Sequence, residues 1–404
     1  MRVLFVQSPA DLYGASRSLL RLCADLRKDD VEVCVIVDGP GPLLEGLAAI
    51  GVEVIIHPGL VRIERQSLSG WRAKTCLVPA FIADAAYQFA VIRRWRPDVV
   101  HTNNAIMPAT GLVTALLGRR HLWHIRENFS EFPKLWPIYR HVMAWFSTVI
   151  IANSRLTARQ FDGIGRGECI RVVHNGLPMD EFCAVDPADV EAWRQRFSPE
   201  GGPVVGVVGR IKLIRKGQDV FLDAAARLAD QFPAARFVCI GGPYPGNEAH
   251  AAELNQRAEA AGIADRFMIT GDIQNVAAAT AALDIALMPS VIPEPFGNVV
   301  MEAMALGKPV IASDNGGAAE QIVDQVTGFL VPPGDAIRLS AAIATLLSNP
   351  VLARTMGEAG RQRAMDHFSA ERTYADIRRI YDETAPHRSP LRARPSGQRK
   401  GHVA

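Results

Sequence analysis

A rhythm of short apolar runs rich in β-branched residues, separated by longer amphipathic segments, constrains the fold more than any other feature. VLFV (3–6), VEVCVIV (31–37), VEVII (52–56), DVVHT (98–102), TVIIAN (148–153) and IRVVHN (170–175) recur through the first half of the chain. Between the first two, Leu19, Leu20, Leu22, Cys23 and Leu26 form one helical stripe over Ser18–Lys28. Runs apolar on both faces that alternate with helices predict a parallel sheet covered on each side, because a strand with one wet face would alternate polar and apolar residues. The rhythm stops near 176 and resumes at 203 with PVVGVVGR, ARFVCIGG, FMITG, IALMPS, PVIAS and FLVPP. Helices are predicted over Gln218–Gln231, Glu248–Ala261, Val276–Ala282 and Asn298–Ala305.

The reading is an α/β chain of two Rossmann-like, doubly wound domains facing a central cleft. An N-terminal domain spans 1–183, a linker with Pro and Gly at both ends spans 184–202, and a C-terminal domain spans 203–368. A last helix within 369–384 presents Tyr374, Ile377, Ile380 and Tyr381 on one face and is expected to pack back across the linker. The stretch 385–404, with three prolines, five cations and few large apolar side chains, reads as a disordered basic tail. Open sheets of this kind bind ligands beyond the carboxyl ends of their strands, so a small molecule between the domains is expected.

Composition removes whole classes. With 49% hydrophobic and 21% charged residues over 404 positions, the chain is neither disordered nor fibrous. Its net charge of +2 divides into +4 over 1–185, −7 over 186–384 and +5 over 385–404, which suggests that the halves face different partners. Six cysteines, none in a C-x-x-C pair, argue against a disulfide framework or zinc site and for a reducing cytoplasm. No stretch approaches the ~18–20 uncharged apolar residues of a membrane span, and no nucleic-acid partner is expected. Membrane contact would therefore be peripheral. Residues 60–96 suit an anionic surface: Arg62, Arg65, Arg72, Lys74, Arg93, Arg94 and Arg96 are interleaved with Trp71, Leu77, Val78, Phe81, Ile82, Phe89 and Trp95. The alternative is that 80–95 is simply the helix that covers the sheet.

Two constellations carry the chemistry. In PSVIPEPFGNVVMEAMALGKP, Glu294 precedes a proline and sits on a loop, while Glu302 falls in the first turns of the next helix. Between them Phe296, Gly297, Asn298 and Val299 place backbone N–H groups at a helix N-terminus, a cradle for an anion such as a diphosphate. In VVGRIKLIRKGQD, Arg210, Lys212, Arg215 and Lys216 crowd a short loop after Gly209, where a pyrophosphate would balance them. The spacing is not that of a Walker loop. In the N-terminal half, Gly14 lies between the first strand and first helix, where backbone can approach a ligand. His124 lies in a strand-like LWHI that Arg126 follows, and His101 and Asn103 end another strand.

Together these motifs resemble family 4 of the glycosyltransferases, the retaining, nucleotide-sugar-dependent enzymes of the GT-B fold. EPFGNVVME resembles the family's E-x7-E signature, GRIKLIRKG its phosphate loop, GASRSLL its N-terminal glycine loop, NGLPMDEF the end of its N-terminal domain and SDNGGAAEQIVDQVTGFLVPPGD its closing segment. The resemblance covers 1–384. It implies that Arg210 and Lys216 hold the donor diphosphate beside Gly209, and that Glu302 binds the ribose. It also implies that Glu294 contacts the donor sugar, that Phe296, Gly297, Asn298 and Val299 give backbone contacts, that Gly14 approaches the diphosphate and that His124 touches the sugar. The double glycine frequent in the N-terminal loop is missing here: Tyr13 precedes Gly14, and Ser16 stands where Glu is common. Asn103 stands where relatives often show a second His. The implied function is transfer of a sugar from a nucleotide diphosphate sugar to a glycan or lipid-linked acceptor, in cell-envelope or exopolysaccharide biosynthesis. No cofactor and no metal is expected, since no D-x-D occurs. An epimerase or phosphorylase on the same fold, a non-catalytic donor-binding subunit and a glycosidase using Glu294 and Glu302 are the alternatives.

Overall fold

The computed structural model describes residues 1–12, 14–62, 71–103, 107–129 and 135–384. Tyr13, Arg65 and the 385–404 tail lie outside the described residues, as do the side chains of Trp71, Arg72 and Lys74.

Each half is built on one parallel sheet. In the first, β1 (Arg2–Gln7), β2 (Glu32–Val37), β3 (Glu53–Ile56), β4 (Val99–Thr102), β5 (Arg120–Ile125), β6 (Val149–Ala152) and β7 (Ile170–Val172) lie in the order β3-β2-β1-β4-β5-β6-β7. Val3, Leu4, Phe5 and Val6 of β1 are fully buried. Val3 and Phe5 pack with α1 (Gly14–Lys28), and Leu4 and Val6 pack with Ile92 of α3 (Trp71–Trp95) on the opposite face. That double burial is why β1 carries no polar alternation. Between α1 and α3 runs α2 (Leu43–Ala49); α4 (Pro108–Leu116), α5 (Trp136–Phe146) and α6 (Arg155–Arg159) complete the set.

The second sheet repeats the scheme. After α7 (Met179–Cys183) and α8 (Pro187–Phe197), β8 (Val204–Val208), β9 (Arg236–Ile240), β10 (Phe267–Ile269), β11 (Ile285–Met288), β12 (Val310–Ser313) and β13 (Gly328–Val331) lie in the order β10-β9-β8-β11-β12-β13. Val205 and Val207 face one core cluster, Val204 and Val208 the other. The covering helices are α9 (Gln218–Leu228), α10 (Ala249–Ala260), α11 (Val276–Ala281), α12 (Asn298–Ala305), α13 (Ala318–Gln321), α14 (Ala336–Ser348) and α15 (Pro350–His367). In both sheets the strand order reverses beside the first strand, between β1 and β4 and between β8 and β11. These are the points where such sheets open a ligand crevice.

Two segments take positions that their sequence alone does not give. Within the stretch read as a linker, α8 starts at Pro187 with Asp186 accepting from the Ala188 amide at 2.8 Å. Phe197, Val190 and Trp193 of α8 pack on the C-terminal core, so this helix belongs to that domain's surface. The last helix, α16 (Ala370–Thr384), joins the other domain: Ala370, Tyr374, Ile377, Ile380 and Tyr381 belong to the same cluster as Val3, Phe5 and Leu22. Arg378 pairs with Asp29 of that domain.

The basic segment 60–96 resolves mainly into a covering helix. On α3, Asp84 is buried and is held by His57 Nε2 at 2.9 Å, the Val61 amide at 3.0 Å and Gln88 Nε2 at 2.8 Å. Phe89 and Trp95 pack on the core, and Arg2 lies 4.4 Å from the Trp95 ring centroid, so these aromatics serve the fold. No single helix among the described residues is long and apolar enough to cross a membrane.

Candidate active site

The loops after β8 and β11 build a first polar cluster. Lys216 Nζ donates to Glu294 Oε1 at 2.6 Å, and Ser290 Oγ donates to the same oxygen at 2.7 Å. The loop from Glu294 to Asn298 is fixed by close backbone contacts. Gly317 N donates to Glu294 O at 2.9 Å, and Gly316, at φ +62°, packs so tightly on the Glu294 backbone that a Cβ there would collide with it. A Cβ on Gly297 would meet Met288 Sδ at 2.5 Å, so a larger residue at the entrance to α12 would require that side chain to move. No side chain caps α12, and Gln321 Nε2 holds the Gly297 carbonyl at 3.1 Å. Phe296 is buried and stacks on His174 with centroids 5.1 Å apart.

Arg210 sits apart from this pair. It follows Gly209, which has φ +135°, and its Nη1 lies 3.8 Å from Asp272 Oδ2. Sequence alone leaves the cations of this loop unbalanced unless an anion joins them. The structure supplies two of them with carboxylates from distant loops, and Lys212 lies 4.8 Å from the Tyr244 ring centroid.

A cavity of about 560 Å³ lies between the domains. From the N-terminal side it is lined by Gly14, Arg17, Arg126 and the pair Arg21–Glu181, 2.8 Å apart, and from the C-terminal side by Asn298 and Glu302. A Cβ on Gly14 would lie 3.7 Å from Asn298 Nδ2, so the two helix starts approach each other across the cleft. Arg210, Lys216 and Glu294 do not line this cavity; the Glu294–Asn298 loop joins the two parts. Glu302 lies in the second turn of α12, and burial raises its carboxyl to about 6 although Arg17 and Arg21 pull it down.

Beside the cavity lies a buried network. Arg126 donates to Asn175 Oδ1 at 2.6 Å and to Ser18 Oγ at 3.1 Å, and burial lowers its guanidinium to about 10. Its Nη2 also lies 3.4 Å from His124 Nδ1. A guanidinium only donates, which makes Nδ1 the acceptor and places the proton of neutral His124 on Nε2. Burial, helped by the charges of Arg126 and His101, holds His124 well below its usual range. Its Nε2 is buried with no partner among the described residues. His124 is therefore a neutral, unsatisfied N–H donor, and such a group retains free energy for a ligand atom that can accept. His101, 5.4 Å away between ring centroids, is paired with Tyr381 Oη at 2.6 Å, and burial lowers it to about 3. Asn103 and Ser16 are taken up locally: Asn103 Nδ2 donates to Gln7 Oε1 at 2.7 Å, and Ser16 Oγ to Asp11 Oδ1 at 2.7 Å.

Sequence reasoning gave Arg17, Arg21 and Arg126 no site role. A signal existed for two of them, since Arg17 and Arg21 stand four apart on α1, off its buried stripe and just after Gly14.

Comparison with known proteins places this geometry. Residues 13–181 match the family described as Glycosyltransferase Family 4, and residues 189–363 match that described as Glycosyl transferases group 1. The chain is 35% identical to a D-inositol 3-phosphate glycosyltransferase of Salinispora tropica, over 94% of this chain and 83% of that protein. It is 29% identical to a 2-deoxystreptamine N-acetyl-D-glucosaminyltransferase of Streptomyces fradiae, over 88% and 90%. Among solved structures, HepE of Anabaena in complex with UDP superposes with a TM-score of 0.80 at 22% identity, over 95% of this chain and all of that one.

Proposed function

The chain belongs to glycosyltransferase family 4 and has the GT-B fold, and on that premise we propose a specific reaction for it. It transfers a sugar with retention of configuration from a nucleoside diphosphate sugar to a glycan or lipid-linked acceptor, without a metal. The observation that carries this reading is the inter-domain cavity, where three guanidiniums, two carboxylates and an uncapped helix start converge, with Arg21 already paired to Glu181 and Arg17 and Arg126 left for a ligand. Cations and free amides suit a diphosphate, and a carboxylate suits hydroxyls. A volume of this size suits one such ligand.

In this reading Glu302 accepts from the ribose hydroxyls and Arg210 and Lys216 face the diphosphate, with Gly209 and Gly14 allowing close backbone approach. Phe296, Gly297, Asn298 and Val299 give backbone contacts to sugar and phosphate. Glu294, held by Lys216 and Ser290 before any donor arrives, orients the sugar hydroxyls. His124 donates from Nε2 to the sugar; being neutral, it is a polariser and not a proton source. As the bond from the anomeric carbon to the phosphate oxygen breaks, negative charge grows on the diphosphate. Lys216 and the α12 N-terminus lie where that charge develops, which is the largest stabilisation such a site can supply. The acceptor oxygen bonds to the same face of the anomeric carbon, and its proton passes to the departing phosphate oxygen.

The acceptor belongs on the N-terminal domain. Val78 (63% exposed) and Ile82 (62%) on α3, Leu116 on α4, and Ile138 and Trp145 (77%) on α5 are exposed apolar side chains of its covering helices. They support peripheral contact with an anionic cytoplasmic membrane face and a role in cell-envelope or exopolysaccharide synthesis. Assay of hydrolysis and transfer over UDP-, GDP- and ADP-sugars in EDTA tests the donor and metal parts together. Turnover of one donor in EDTA is expected, and failure to bind any of them overturns the reading. Flotation with anionic liposomes is expected to carry the protein up, and Trp145→Ser with Ile138→Ser to reduce it.

A further inference from the structure

A second cavity, of about 590 Å³, shares no lining residue with the first. It lies where the chain passes between the domains. Arg155 and His174 line it from the N-terminal side, Glu320 and Arg363 from the C-terminal side, and Arg372 and Asp376 from α16. Its charges are unbalanced in a specific way. Both carboxylates are already engaged. Glu320 accepts from His174 Nε2 at 2.9 Å and from the amides of Arg155 and Leu156 at 2.7 and 3.3 Å, and Asp376 pairs with Arg379 at 3.2 Å.

The three guanidiniums have no such partner. None lies within 4.0 Å of a carboxylate among the described residues. Arg363 donates to the carbonyls of Gln321 and Glu320 at 2.7 and 3.0 Å, and Arg372 to that of Asp366 at 3.1 Å. Neutral carbonyls fix these two side chains in place and leave their charge uncompensated. Burial lowers Arg363, as expected for a cation without a counter-ion. Three planar donors around one concavity repel each other until an anion of two or more charges enters, and their fork geometry matches phosphate oxygens.

We propose that this cavity binds a small phosphate-bearing anion that bridges the two domains. The site is separate from the donor cleft and coupled to it by one side chain. His174 forms part of the cavity wall and stacks on Phe296, at the start of the loop that enters α12. A ligand held by Arg155 on one domain and Arg363 on the other fixes the angle between them and steadies that loop.

Isothermal titration of the full chain with inorganic pyrophosphate, at ionic strength matched with KCl, tests the site. Lys216→Ala with Arg210→Ala removes two cations of the donor site, and Arg155→Gln with Arg372→Gln removes two of the three guanidiniums of the second cavity. The cleft variant is expected to keep a binding isotherm, and adding Arg155→Gln and Arg372→Gln to it is expected to weaken that isotherm at least tenfold. Complete loss of binding in the cleft variant, or unchanged affinity after the Arg155 and Arg372 changes, overturns the proposal. Arg155→Gln alone alters an exposed side chain, so it gives the answer if the combined variant does not fold, with a weakening of about threefold or more. A hexose 6-phosphate in place of pyrophosphate distinguishes an ester from a free anion. Because binding is read directly, failure here is separate from failure of the transferase reading.

Discussion

The two walls of the cleft differ in how far their donors are matched before a ligand arrives. On the C-terminal wall, in the half with net charge −7, cations arrive already matched with carboxylates: Lys216 with Glu294 at 2.6 Å and Arg210 with Asp272 at 3.8 Å. On the N-terminal wall, in the half with net charge +4, Arg21 pairs with Glu181 at 2.8 Å, but Arg126 is half-buried with only neutral partners and His124 keeps an unused N–H. An acidic domain gains a local anion site by pairing, which holds the cation in position. A basic domain can leave its donors unsatisfied and let a ligand complete them. The difference is one of preorganisation against reserve.

The largest effect is expected at α16, which belongs to one half by sequence and to the other by packing. Ending the chain at residue 369 removes Tyr374, Ile377, Ile380 and Tyr381 from the N-terminal core. Each such loss costs about 2–5 kcal/mol, and together they match the ~5–15 kcal/mol that holds a domain folded. Limited proteolysis is expected to digest the N-terminal half and spare the C-terminal sheet; equal resistance of both halves would contradict the packing. Next in size, Lys216→Ala should lower kcat by about 10²–10³-fold with folding intact, the usual effect of losing one preorganised charge at the reacting centre. An unchanged kcat would remove Lys216 from its role.

Glu302 sharpens the contrast through pH. Its folded carboxyl titrates near 6, above the ordinary 4.5, so the folded state holds its proton more tightly than the unfolded one. The carboxylate therefore lowers stability as pH rises from about 4.5 through 6, and has its full effect above 6. Glu302→Gln is expected to melt higher than the wild type at pH 7.5 and equally at pH 4. It should also bind nucleoside diphosphates about tenfold less tightly at pH 7.5, and lose the weakening expected of the wild type below pH 6. Smallest is Tyr381→Phe, which deprives buried His101 of its partner. A loss of about 1–3 kcal/mol, visible as a lower melting temperature of the N-terminal half only, would confirm that the contact is structural.

Much of this was legible in the sequence, because each strand is fixed by local pattern: PVVGVVGR becomes β8 and IALMPS becomes β11 with shifts of a residue or two at the ends. The motif residues were equally plain as a set. Their pairing was not. Lys216 and Glu294 are 78 positions apart and meet only because β8 and β11 are neighbours in the sheet. Asp272 reaches Arg210 from the loop after β10, for which nothing near Arg210 gives a cue. The stripe on α16 showed that it must bury a face, and an apolar stripe does not name the surface it covers. Arg17 and Arg21 stood in view, but a charged helix face usually meets water, and only the opposing domain turns it into a wall of the site.

The docking of α16 also bears on the order in which the molecule matures. Residues 1–172 emerge from the ribosome first and contain all seven strands of their sheet. The surface formed by Val3, Phe5 and Leu22 stays open until residues 370–384 have been synthesised and have swung back to cover it. The domain that is translated first is thus finished last. A chain interrupted anywhere in the second half presents an unsealed apolar face to the cell's chaperones and proteases, which allows incomplete copies to be recognised before any substrate is.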